Sequence, residues 1–322
     1  WPLGDDFASL IDSIRLDVNR YLKKIPIPET PRYLYDPIRY SLQNEGKRFR
    51  PILTHLSGRA NNIDSDALMN LSLAVELLHN FTLVHDDIMD NDTIRHGNQT
   101  IHEKWDPSTA ILAGDGIYTI AQIILNEIPS NGLLLSKYFN KTTLEICEGQ
   151  ALDKEFENNN AINREMYFDM INKKTGSLLG ASAALPIIYN GGSKELISVY
   201  EQFGRNLGIG FQIHDDLLEI AGDTEIMGKS LGSDIFQGKQ TILVILARES
   251  YPNEWRELLD SSETKELVKN IYSFFKEKNI LQKARSISDS YFKTSLNYLK
   301  KLDGISTDDL MQLVHLIEKR TY

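Results

Sequence analysis

The sequence predicts an all-α fold, a bundle of ten or more helices around a central apolar cavity. Apolar residues recur at helical spacing through almost the whole chain. Strand signals are nearly absent: the run Thr241-Ile242-Leu243-Val244-Ile245-Leu246 has strand composition but a helical context. No Pro/Gly/Ser-rich linker divides the 322 residues, so residues 5–322 are expected to form a single domain, although length alone would allow two.

Composition narrows the function. The formal net charge is −10, which argues against a nucleic-acid partner, because that role needs a basic surface. The apolar fraction of 41% is enough for a large core. A single cysteine, Cys147, excludes an internal disulfide and suits a reducing compartment; its helical setting predicts a small buried side chain. No uninterrupted apolar run reaches about 18 residues, and Ser177–Tyr189 is broken by Pro186, so no transmembrane segment is expected. No signal-peptide pattern precedes the first helix, and a cytoplasmic location is the expectation.

In chain order, Phe7, Leu10, Ile11, Ile14, Val18, Tyr21 and Leu22 mark a helix over roughly 5–24. Asp5 and Asp6 suit its positive end, and Pro26, Pro28 and Pro31 end it. A second helix runs to about Asn44, with Gly46 as its stop. Gly46-Lys47-Arg48-Phe49-Arg50-Pro51 then opens a third. Its three cations read either as a diphosphate grip backed by helix N–H donors or as a solvated basic turn.

A long helix over roughly 64–90 ends in Phe81-Thr82-Leu83-Val84-His85-Asp86-Asp87-Ile88-Met89-Asp90. Asp86, Asp87 and Asp90 crowd one face. At about 5 Å and an effective dielectric of about 20, each like-charged pair repels by about 3 kcal/mol. Such a cluster after an apolar run calls for a cation. At 100° per residue, His79 and Thr82 share the face of Asp86. Residues 91–97 read as a loop in which Arg95 serves either a salt bridge or a phosphate clamp.

Helices follow over roughly 107–126, 131–152 and 164–188. Gln150 and Asp153 lie one turn apart, and Lys173-Lys174-Thr175 opens a small-residue stretch that permits close packing. A helix over about 193–220 carries a second acidic cluster, Phe211-Gln212-Ile213-His214-Asp215-Asp216-Leu217-Leu218-Glu219. Two such clusters facing one another would make an oxygen-lined site for Mg²⁺. A Gly-rich segment with Asp223, Lys229, Asp234 and Lys239 has the composition of a mobile loop that closes over phosphates. Residues 252–322 predict three more helices whose work is packing.

One acidic motif is weak evidence, but two after apolar helices, with basic motifs between and around them, are specific. Over residues 40–245 the combination resembles the trans-isoprenyl diphosphate synthases, most closely the short-chain geranylgeranyl and farnesyl enzymes. The resemblance implies the isoprenoid synthase type of all-α fold, Mg²⁺ as cofactor and a homodimer. It implies that Asp86, Asp87, Asp90 and Asp215, supported by Asp216, hold the metal. Arg95, Lys174, Thr175, Gln212, Lys229 and Lys239 would surround the allylic diphosphate. Lys47, Arg50 and His79 would hold isopentenyl diphosphate.

Two departures stand out. His96 replaces the second arginine usual after the first motif, so it is expected to bind isopentenyl diphosphate more weakly or with pH sensitivity. Glu219 replaces an aspartate in the second motif and keeps the charge for a metal or its water.

The implied chemistry ionises the allylic diphosphate, condenses it with isopentenyl diphosphate and eliminates a proton, with the released diphosphate as acceptor. Lys174, Lys229 and the aspartates are the expected catalytic groups. Thr82 is too small to close the apolar cavity early. In the resembling family, an aromatic at the place of Phe81 stops growth near twenty carbons. The expected product is therefore geranylgeranyl diphosphate, with farnesyl diphosphate as the alternative. A terpene cyclase would not need Lys47 and Arg50. A metal-dependent phosphohydrolase would need His85 or His214 on the metal with further histidines. A non-catalytic synthase subunit would be expected to lose aspartates that this chain keeps.

Overall fold

The computed structural model describes residues 5–221, 232 and 234–320. The chain runs through α1 (Asp5–Lys24), α2 (Arg32–Leu42), α3 (Phe49–Ala60) and α4 (Ser65–Met89). A short hairpin, β1 (Ile94–Arg95) and β2 (Asn98–Gln99), leads to α5 (Ile101–Lys104), α6 (Pro107–Asn126), α7 (Gly132–Phe156) and α8 (Arg164–Ile171). A turn of π-helix, Asn172–Gly176, joins α8 to α9 (Ser177–Tyr189), and α10 (Lys194–Ala221) follows. Helices Ile242–Ser250, Pro252–Ser261, Thr264–Glu277, Ile280–Leu299 and Asp308–Glu318 complete the described chain. The all-α expectation is met.

Local chemistry explains the boundaries. Asp106 caps α6 by accepting from the Thr109 N–H at 2.7 Å, and Pro107 takes the first helical position, where its missing N–H costs nothing. Asn163 caps α8 through the Met166 N–H. The β-branched run from Thr241 is helical because Thr241 itself caps it, accepting from the Val244 N–H.

Four expectations need correction. Residues 91–97 are not all loop: His96 (φ 48°) and Gly97 (φ 78°) form a two-residue hairpin turn that requires positive φ at both positions. Residues 252–320 hold four helices, because Ser262 breaks the segment with an extended backbone. The second helix ends at Leu42, two residues before the expected Asn44, and the left-handed residue beyond Gly46 is Arg48 (φ 58°), at the start of α3. Cys147 is exposed rather than buried, since it falls on the outer face of α7.

The chain divides into two compact units. The first holds the described residues up to Thr143, Leu178–Glu201 and Leu302–Leu313; the second holds Leu144–Ser177, Gln202–Lys301 and the residues from Val314 onward. In the first unit, α4 packs on α6. An added Cβ at Gly114 would run into the His85 ring, so glycine is what lets the two helices approach. Leu71, Val75, Leu78, Ala110, Ala113 and Ile117 are fully buried there. In the second unit, Tyr167, Ile213, Ile242, Ile245, Phe275 and Ile280 belong to one buried apolar cluster.

Two helices, Asp66–Met89 and Pro107–Asn126, do reach the length and mean hydropathy of a membrane span over an 18-residue window. That modifies the expectation drawn from uninterrupted runs. Of the windows, 67% and 44% are buried within the protein. The first is a mostly buried core helix that leads into three aspartates.

Candidate active site

In the first unit, the C-terminal end of α4 and the hairpin after it carry the first acidic motif. Asp87 is buried and takes Arg95 on both oxygens: Nε donates to Oδ2 at 3.1 Å, and Nη2 donates to Oδ1. Burial works against the charge on Arg95, but the hydrogen bond and charge of Asp87 outweigh it and hold the guanidinium above its ordinary pKa. The hairpin register fixes Arg95, so this pair sets the position of the loop. Asp86 and Asp90, one turn apart, are half-buried. Burial, Asp87 and Asp90 push the nearby Asp92 carboxyl up to about 6. The region is thus rich in negative potential and suited to a cation.

Among the described residues, no three His, Cys, Asp or Glu side chains close around a metal by themselves. The chemistry of the donors still fits Mg²⁺, which binds through one or two carboxylates, water and substrate phosphates rather than in an all-protein cage. Asp86 and Asp90 are the carboxylates this motif offers.

Beside this motif, Arg50 Nη1 lies 3.3 Å from His79 Nε2. Burial depresses the His79 pKa well below its ordinary value, with Arg50 adding to the effect, so the ring is neutral and accepts from Arg50. Burial also lowers Arg50 to about 10. Lys47 is exposed, and its carbonyl accepts from Arg15. The middle cation of the basic motif is not a phosphate grip. Arg48 is buried, with Nη1 2.8 Å from Glu76, Nε 2.7 Å from Asn19 and Nη2 2.6 Å from the Asn44 carbonyl. His96 sits at the hairpin tip, where burial and Arg95 lower its pKa, so it is neutral near pH 7.

The chain-length residues lie on α4. Thr82 bonds back to the His79 carbonyl at 2.7 Å. The half-buried Phe81 ring leans on the Tyr118 ring of α6, with centroids 5.2 Å apart, and on the His85 ring at 4.8 Å. His85 Nε2 lies 2.9 Å from the Ile111 carbonyl, so this histidine serves packing.

The second unit gathers most of the remaining candidates. Thr175 Oγ1 donates to Gln212 Oε1 at 3.4 Å, and Gln212 Nε2 donates to Asp216 at 3.0 Å. Lys174 Nζ donates to Asp153 Oδ2 at 2.8 Å, and Lys239 Nζ approaches the same oxygen at 3.1 Å. Lys239 also pairs with Glu157 at 3.0 Å. Burial opposes the charge on Asp153, but Lys174 and Lys239 outweigh it and hold the carboxyl below its ordinary range. Two ammonium groups on one oxygen are at most about 6 Å apart; at an effective dielectric of about 20 they would repel by about 3 kcal/mol without a shared anion.

Lys174 and Thr175 stand on the π-turn, a departure from α-helical hydrogen bonding that recurs at functional sites. Arg205 supports it, donating to Asn172 at 3.3 Å and to Glu145 at 2.6 Å. Asp215 pairs with Arg320, whose guanidinium also lies 4.8 Å from the Phe211 ring centroid. His214 is buried with Nε2 3.1 Å from the Arg320 carbonyl. Neither histidine of the two His-Asp pairs is therefore placed as a metal ligand, which removes the feature behind the phosphohydrolase alternative. Sequence reasoning gave the last helices only packing, and so missed Arg320. It noted Asp153 without a role. Lys229 and Asp223 lie outside the described residues, as does the Glu219 side chain.

The polyprenyl synthetase family model matches residues 31–275. Geranylgeranyl diphosphate synthase of Methanosarcina mazei is 41% identical over 68% of this chain and 68% of its own. The enzyme of the same name from Saccharolobus solfataricus is 37% identical over 93% and 92%. Among solved structures, a geranylgeranyl pyrophosphate synthetase from the archaeon Geoglobus acetivorans superimposes with a TM-score of 0.85 at 34% identity, covering 97% of this chain and 100% of that one.

Proposed function

The chain belongs to the polyprenyl synthetase family, and from that premise we propose that it joins isopentenyl diphosphate head-to-tail to an allylic diphosphate, ending at geranylgeranyl diphosphate. The observation that carries the reading is the pair Lys174 and Lys239, held on one carboxylate beside the chain Thr175–Gln212–Asp216. Two ammonium groups held no more than about 6 Å apart match an anion with charge on two phosphoryl groups. The names of the relatives and the aromatic at Phe81 favour the twenty-carbon product.

Asp86 and Asp90 of one acidic motif and Asp215 of the other are the proposed Mg²⁺ ligands, with Asp87, Asp216 and Glu219 supporting. Bound there, Mg²⁺ supplies Lewis-acid stabilisation of the charge that appears on the leaving diphosphate. Lys174, Lys239 and Lys229 stabilise the same charge, and Thr175 and Gln212 orient it. Arg50, held by neutral His79, grips isopentenyl diphosphate with Lys47 and His96. Apolar helix walls exclude the water that would trap the allylic cation as an alcohol. The C1–O bond breaks, the double bond of isopentenyl diphosphate attacks C1, and the proton lost from the adduct passes to the released diphosphate.

Residues 5–322 acting as one domain, a cytoplasmic site and a homodimer belong to the same proposal. Ile111, Leu112 and Ile123 on α6, with Leu133 and Leu134 on α7, are exposed apolar side chains that a second copy would cover. The test is incubation with Mg²⁺, isopentenyl diphosphate and a set of allylic diphosphates, followed by sizing of the products. A twenty-carbon diphosphate is expected; release of inorganic phosphate or a cyclic hydrocarbon in its place refutes the assignment.

A further inference from the structure

We propose that Asp153 is a positioning residue for prenyl transfer: its carboxylate sets the spacing of Lys174 and Lys239 and so fixes the cradle for the leaving diphosphate. This rests on the function proposed above and adds a residue to it.

The two lysines come from segments far apart in sequence, and α7 touches both. At Gly149, an added Cβ would lie 2.6 Å from Lys174 Cα, so the helix and the π-turn backbone are in direct contact. Just past the end of α7, the Asn158 N–H donates to the Gly238 carbonyl at 2.9 Å. Gly238 has φ +68°, and an added Cβ there would lie 2.6 Å from Asn158 Cγ, so this join also requires glycine. The Lys239 N–H in turn donates to the Asp234 carbonyl at 2.9 Å.

The backbones on either side of Asp153 are therefore pinned to one helix. Asp153 lies between the two pins, one turn beyond Gly149, with one oxygen 2.8 Å from Lys174 Nζ and 3.1 Å from Lys239 Nζ. A lysine is a point charge on a flexible stem, and pinning its backbone does not aim its ammonium group. With Glu157 at 3.0 Å adding a second hold on Lys239, the shared oxygen aims both. It also offsets the repulsion that would drive the two cations apart, so both stand ready when charge develops on the leaving group.

Asp153→Asn keeps the shape and removes the charge, while Asp153→Glu keeps the charge one methylene further out. Neither variant removes a lysine, so both anion donors remain for the substrate and the fixed geometry is what is lost. In Asp153→Asn, kcat is expected to fall about 30-fold, since misplacement by about 1 Å can cost about 10²-fold. KM for the allylic diphosphate, and Kd for inorganic pyrophosphate with Mg²⁺ by calorimetry, should stay within about threefold, and Asp153→Glu should recover at least about threefold of the lost kcat. The inference is overturned if Asp153→Asn keeps kcat within threefold of the parent, if KM and Kd carry the loss, or if Asp153→Glu does no better. It is equally overturned if the loss follows only the unfolded fraction in a melting curve. Parent protein that makes no prenyl product overturns the function and this inference together, whereas an active parent with an unaffected Asp153→Asn overturns this inference alone.

Discussion

Replacing Gly149 with alanine places a methyl group 2.6 Å from Lys174 Cα and closer still to its amide nitrogen. Ordinary contact begins at 3.4 Å, and the obstacle is backbone, so helix and π-turn must separate by about 1 Å. Overpacking of this kind costs about 1–3 kcal/mol. Alanine in a helix interior returns about 1 kcal/mol relative to glycine. The net cost is therefore about 0–2 kcal/mol, and at about 2–4 °C per kcal/mol the melting temperature falls by no more than about 8 °C. Turnover behaves differently. Lys174 and Thr175 ride on the displaced backbone, and about 1 Å of misplacement costs about 10²-fold. Steady-state kcat is to be measured well below the melting temperature, beside a thermal melt of the same sample. A variant that melts within a few degrees of the parent and turns over about 10²-fold more slowly supports the reasoning. Turnover within threefold of the parent refutes it.

Asp86→Ala is expected to lower turnover by orders of magnitude with circular dichroism unchanged, since this half-buried side chain lies at a helix end; near-normal turnover would defeat its role toward Mg²⁺. Chelation with EDTA should abolish activity, and added Mg²⁺ should restore it. Phe81→Ala should open the face shared with Tyr118 and His85 and lengthen the product, so unchanged chain length would reject Phe81 as the stop. Glu76→Gln leaves Arg48 buried without its countercharge, and denaturant melts should show a loss of about 3–5 kcal/mol. Burial depresses the folded pKa of His55, His79 and His214, so below about 6.5 the unfolded chain binds more protons and stability falls with pH. His79→Gln should flatten that fall in melts from pH 7 to 5.

The long helices were legible because their apolar period is a local signal. The acidic motifs were legible because like charges after apolar runs need an explanation. The π-turn was not: the contact of its Asn172 with Arg205, itself paired with Glu145, lies beyond what a reading of residues 172–176 reaches. The Arg48 cation had the same composition as Arg50, and only the partners Asn19 and Glu76 separate a structural arginine from a binding one. Arg320 joins Asp215 across about a hundred residues of sequence, a pairing that no spacing rule encodes.

The π-turn has a consequence for how this chain tolerates insertion and deletion. A π-turn amounts to an α-helix carrying one surplus residue. Removing a single residue from Asn172–Gly176 would let the segment return to ordinary α-helical hydrogen bonding, with the flanking helix keeping its phase. Lys174 and Thr175 would lose the heading that the turn gives them, while the buried stripe of α9 would stay in phase. A one-residue gap here is therefore a loss confined to the site, whereas the same gap in the middle of an uninterrupted helix such as α4 would turn the rest of that helix by about 100°.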